Sequence, residues 1–144
     1  MAKWNKETFI SSTKVNCEPR VQTTVMELVK FAEKDADQVS WGRGEGYGTM
    51  TFKCKSDDYG IVPLFHITTN GQIKFQLNYL RQKVRKKEIL RDYQLKLESN
   101  FMMEFSEACY PSDIYHKMGD MFTIRTEVEK FVQTIQGIAH RLRQ

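Results

Sequence analysis

The densest chemistry in the chain is cationic. Residues 81 to 91, RQKVRKKEILR, hold Arg81, Lys83, Arg85, Lys86, Lys87 and Arg91 against a single acid, Glu88. The whole chain has 22 Lys and Arg against 18 Asp and Glu, a net charge of +4, so this one segment carries the entire excess and the remainder is close to neutral. Clustered guanidinium and ammonium groups create a local field that a diffuse excess does not, and phosphate is the anion they suit best. Phe75 and Tyr79 lie on the stretch that leads into the cluster, where they are expected to add aromatic faces to a phosphate-binding edge. The expected partner is nucleic acid, bound without much sequence preference. A partner of a different class is a protein: exposed aromatic strand residues and the C-terminal helix would then pair with a second copy or another chain.

A second constellation is WGRGEGYG, where Arg43 stands between glycines beside Trp41 and a guanidinium is expected next to an aromatic face. As a phosphate loop the segment fails on context, because a strand pattern follows it where a helix is required. A hairpin or bulge whose glycines supply positive φ accounts for it. Asp58, followed after a strand by Gln72 and Lys74, has the acid and Gln-x-Lys spacing of metal-dependent restriction-type nucleases, in which the acid binds the metal and the lysine stabilises the attacked phosphate. This nuclease reading, active or degenerate, is the enzymatic alternative to the binding module.

Other reactive side chains carry less. Cys17, Cys54 and Cys109 form no CxxC pair and have no histidine at ligand spacing, so free thiols are expected, and neither a metal site nor a cofactor. His66 and His140 fall in element patterns as scaffold groups. His116 stands in a loop setting that predicts exposure, yet no nucleophile, GxSxG elbow or HExxH spacing accompanies it.

The elements that position these groups follow from periodicity. Asn5 caps a short helix, with Trp4 and Phe9 as a hydrophobic staple. Glu18-Pro19 opens a helix over 18 to 35, with Val21, Val25, Leu28 and Ala32 as its apolar stripe. From Gln38 to Leu80 the period becomes two. Strands are predicted at Val39 to Trp41, Met50 to Cys54, Ile61 to Ile67 with Pro63 at an edge or bulge, and Gln72 to Leu80 after the Asn70-Gly71 turn. A helix over about 86 to 107 follows, then a loop from Cys109 to Phe122 with a short extended piece near Met121. A final helix bears Val128, Phe131, Val132, Ile135, Ile138, Ala139 and Leu142 on one face, with Thr126 and Glu129 as a capping box. Helices, then strands, then helices predict an α+β fold: one domain over residues 1 to 144, an antiparallel meander of three or four strands packed by N-terminal and C-terminal helices. The sequence has no 18-residue apolar run and no signal-peptide pattern, so no membrane contact and a cytoplasmic location are expected.

In Trp4-Asn5, Trp41-Gly42-Arg43-Gly44, Pro63-Leu64-Phe65 and the stretch from Gly71 to Leu80, the chain resembles an uncharacterised domain of bacterial hypothetical proteins. In that family a tryptophan followed by Gly-Arg-Gly opens a small sheet, an aromatic-rich strand ends in a basic patch, and a helix closes a domain that occurs alone or as a C-terminal module. The resemblance implies an α+β domain without established catalytic residues, and it directs attention to Trp41, Arg43 and the basic stretch. Together these readings favour a binding or interaction module over an enzyme.

Overall fold

Alternation of apolar and polar residues makes a sheet with two unlike faces, and the fold is built around that difference. The computed structural model describes residues 3–43, 46–106, 108, 110 and 112–144. Gly44, Cys109 and Pro111, which carry parts of the sequence-based expectations, lie outside the described residues. Among the described residues the order is α1 (Lys6–Asn16), α2 (Pro19–Asp35), β1 (Gln38–Trp41), β2 (Thr49–Ser56), β3 (Gly60–Thr68), β4 (Gln72–Phe75), α3 (Leu77–Lys83), α4 (Lys87–Phe101), β5 (His116–Lys117), α5 (Met118–Met121) and α6 (Arg125–Arg143). The strands form one antiparallel sheet in the order β1-β2-β3-β4-β5. The fold is α+β as expected, with five strands where three or four were predicted. Among the described residues no helix is long and apolar enough to cross a membrane.

The core lies between one face of the sheet and the long helices. Met50, Phe52 and Cys54 of β2, Val62, Phe65 and Ile67 of β3, and Ile73 and Phe75 of β4 are all fully buried. Phe31 of α2 stacks on Phe52 (5.1 Å between ring centroids), Phe52 on Phe65 (5.3 Å), and Phe131 of α6 meets Phe65 edge-on (5.0 Å). Each such ring contributes on the order of 2–3 kcal/mol by leaving water, and the aromatic contacts add to that. The predicted stripes of α2 and α6 are the faces that close this core, with Val132 only half-buried. Pro63 sits beside the irregularity where β2 and β3 shift register between Phe52 and Lys53, which places both Leu64 and Phe65 in the interior.

Glycine and caps fix the ends. A Cβ on Gly48 would lie 2.6 Å from the Trp4 indole, so only glycine lets that ring close over the β1–β2 connection. Gly71, at φ +79°, completes the turn from β3 to β4 that Asn70-Gly71 predicts. Asn5 and Thr8 cap α1 reciprocally. Trp4 packs at Gly48, and Phe9 packs on Trp41 at 5.4 Å.

Four predicted elements differ. The strand ends at Phe75, and residues 77 to 83 coil into α3, because Asp113 reaches back to accept the backbone N–H groups of Asn78 (3.0 Å) and Tyr79 (3.1 Å) at that helix start. Helix α4 stops at Phe101, where Met102 turns left-handed at φ 54°, and Phe105 returns to the core from outside the helix, edge-on to Phe75 at 5.6 Å. The extended piece lies at His116–Lys117, and Met118–Met121 is helical. Helix α6 starts at Arg125, with the Glu127 carboxylate accepting from the N–H groups of Thr123 (3.0 Å) and Ile124 (3.2 Å), whereas Glu129 pairs with Arg125 at 3.5 Å.

Candidate functional site

The basic segment spans the end of α3, the short connection and the start of α4, so its cations project from a tight corner. Lys83, Arg85, Lys86, Lys87 and Arg91 are all exposed. Lys86 and Lys87 stand at the N-terminus of α4, where the helix dipole disfavours positive charge. Lys86 is partly neutralised by Asp58 at 3.4 Å, and Lys87 donates to the Arg81 carbonyl. Among the described residues Lys83, Arg85, Lys87 and Arg91 form no ion pair.

Arg81 is different in kind. Its guanidinium donates to the Asn78 side-chain carbonyl (2.6 Å), to Gln94 Oε1 (2.8 Å) and to the Phe105 backbone carbonyl, tying α3, α4 and the chain after α4 together. All three acceptors are neutral, and the carboxylates of Glu98 and Asp113 reach the guanidinium only at one remove, through bonds to Gln94, Phe105 and Asn78. A cleft of about 690 Å³ opens beside it, lined by Asn78, Arg81, Gln82, Lys87, Leu90, Arg91 and Gln94, with no acid among them. A neighbouring hollow of about 540 Å³ lies between Lys83 and Arg85 on one side and Asp58 and Tyr59 on the other. The arrangement offers mobile cations around one fixed guanidinium, which suits a phosphate group.

Several predicted partners are elsewhere. Phe75 is fully buried and Tyr79 is an exposed residue of α3, so no aromatic strand feeds the corner. Trp41 turns its ring to Phe9 in the core. Arg43, exposed, pairs its backbone with Lys3 at the end of the sheet where β2 begins, whereas the corner adjoins the turn where β2 ends. The eight residues of β2 put roughly 23 Å between those ends, so Arg43 and the 81 to 91 cluster do not make one site. Asp58, in the turn before Gly60, and Lys74, in register with His66, are roughly 20 Å apart along β3. Gln72 lies two residues further along, and Asp58 is paired with Lys86, so the nuclease constellation does not assemble. Among the described residues no three His, Cys, Asp or Glu side chains gather to hold a metal.

The remaining reactive groups are scaffold in character. His116 is half-buried, not exposed: its ring stacks on Tyr110 at 5.8 Å and lies against Phe105 and Phe75, and burial lowers its pKa. Cys54 is buried, which pushes its thiol up to about 11, and burial also raises Cys17, so neither is a poised nucleophile. His140 is exposed and lies 3.1 Å from the Gln144 amide.

Sequence reasoning missed the framing residues Asn78, Gln82 and Gln94, and for His66, expected as a scaffold group, it missed the lysines around the ring. The His66 ring bonds the Thr51 hydroxyl on the sheet face turned away from the helices. Burial, then the charges of Lys74 and Lys53, lower its pKa to about 4. The available signal was the polar half of the strand alternation, in which Lys53, Lys55 and Lys74 recur without an acid.

Compared with family models, curated proteins and solved structures, the chain matches none.

Because Arg81 holds three acceptors, Arg81→Gln is expected to lower stability in chemical denaturation by about 2 kcal/mol, while Arg91→Gln stays within about 0.5 kcal/mol of the parent. Equal losses would contradict the distinction. His66 takes up its proton more readily in the unfolded chain than in the fold, so its contribution is complete above about pH 6.5 and is lost as pH falls toward 4. The expected loss over that window is up to about 3 kcal/mol, and His66→Gln should flatten it; an unchanged slope in the variant would refute the assignment.

Proposed function

We propose that this protein is a nucleic-acid-binding module that holds the phosphate backbone without reading base sequence. The observation that carries the reading is the acid-free cleft between α3 and α4, with Arg81 fixed by neutral partners and Lys87 and Arg91 at its rim. Cations at the start of α4 work against the helix dipole, and a bound phosphate would relieve both that conflict and the mutual repulsion of residues 83 to 91. Flexible lysine and arginine side chains around one rigid guanidinium favour phosphate over any planar base edge, hence affinity without sequence choice. Binding of this kind releases counterions and so weakens steeply with salt.

The test is a fluorescence-anisotropy titration of labelled oligonucleotides of unrelated sequence over a series of salt concentrations. The parent protein is expected to bind them with similar affinity, with log K falling linearly against log salt. The Lys87→Gln, Arg91→Gln double variant should bind more weakly, with a slope shallower by about 2 for duplex, one for each cation removed. No binding at low salt, or binding indifferent to salt, would overturn the reading.

A further inference from the structure

The helices cover one face of the sheet, and the other face carries charge that the fold does not use. The strand positions that alternate with the core residues bear Lys53 and Lys55 on β2, Lys74 on β4 and Lys117 on β5, and no strand position on this face is an aspartate or glutamate. Among the described residues none of these four lysines forms an ion pair. Lysines on edge strands guard against edge-to-edge pairing, but β2 and β4 are interior strands, so that explanation does not reach Lys53, Lys55 or Lys74. Like charges on one sheet face are destabilising where nothing opposes them. Thr51, His66 and Lys74 lie side by side across β2, β3 and β4, with Lys53 on the next position of β2.

Aromatic rings border the same row. The Lys74 ammonium lies 4.6 Å from the centroid of the Tyr115 ring. Tyr47, in the β1–β2 connection, is 47% exposed, and its phenol is close enough to add to the effect of burial in raising the pKa of Tyr115. Five strands at their usual spacing give a platform roughly 20 Å wide. The half-buried Lys53 and Lys74, set beside the Tyr115 and Tyr47 rings, match a chain that presents phosphates and unstacked bases together, which a single strand does and a duplex does not.

We propose that the uncovered face of the sheet binds single-stranded nucleic acid, with Lys53 and Lys74 taking phosphates and Tyr47 and Tyr115 stacking bases. This rests on the phosphate-binding reading given above, and adds to it a second surface and the strand state of the ligand. His66 reports on the event. Lys53, Lys74, Thr51 and, beyond Lys74, Tyr115 surround its ring, and phosphate at the two lysines removes part of the repulsion that, after burial, keeps it neutral.

The experiment compares labelled oligothymidylate with a labelled hairpin duplex, using the intact chain. Three proteins are set against the parent: Lys53→Gln with Lys74→Gln, Tyr47→Ala alone, and Lys87→Gln with Arg91→Gln. Circular dichroism confirms that each folds. The lysine pair variant is expected to lose roughly tenfold or more in oligothymidylate affinity, and Tyr47→Ala to weaken oligothymidylate while leaving the duplex unchanged. The corner variant should weaken both ligands. Saturation with oligothymidylate should move the His66 ring titration, followed by NMR, upward from about 4. Sheet-face variants that bind oligothymidylate as the parent does would overturn this proposal and leave the corner standing, as would a Tyr47→Ala variant that weakens strand and duplex equally. A parent protein that binds neither ligand would overturn both.

Discussion

Everything in this molecule depends on a sheet that is covered on one side. Phe52, Phe65, Ile67, Ile73 and Phe75 leave water only because α2 and α6 bring Phe31 and Phe131 against them. With most of the large apolar side chains on that face, the alternate positions are left mainly to polar residues, the exceptions being Pro63 and the exposed Ile61 of β3, opposite Lys53 and Lys55. The short β4 then allows α3 to leave the sheet and turn back, and α3 and α4 meet at the corner where the cations collect. Arg81 is the tie that holds this corner, since its three neutral acceptors belong to α3, α4 and the chain beyond α4. One side of the protein is therefore spent on stability, and both cationic surfaces lie outside it.

Where an element is determined by its own residues, the sequence was readable. The stripes of α2 and α6, the Asn5 cap, the Asn70-Gly71 turn and the irregularity beside Pro63 all arise from interactions within a few residues or from a strict period. Where a distant group decides, local pattern failed. Leu77 and Tyr79 continue the alternation of β4, but Leu77, Leu80 and Val84 also fit one face of a helix, and the carboxylate of Asp113 settles the choice by capping α3. Phe105 continues the spacing of α4, yet Met102 reverses the chain first. The fifth strand is two residues long, too short to leave a periodic trace.

The candidate site was legible to the same extent. Cations contiguous in sequence stay contiguous on a corner, so residues 81 to 91 were visible as a group, although Arg81 is absorbed into the scaffold and Phe75 into the core. The sheet-face lysines are 21 residues apart at Lys53 and Lys74, and only the register of three strands sets them around His66. Arg43 shows the opposite case: grouped with the basic run by its chemistry, it lies at the other end of the sheet. Distance along a strand, roughly 3.3 Å per residue, is what separates them.

The central claim is that the cations outside the core are a nucleic-acid surface. The most direct test is a map of backbone amide shifts as unlabelled single-stranded oligonucleotide is added to isotopically labelled protein at low salt. The account predicts that Thr51, Lys53, His66, Lys74 and residues 83 to 91 move together in one saturable titration, while the buried faces of α2 and α6 stay still. Shifts that spare both the sheet face and residues 83 to 91, or none at all, would contradict it.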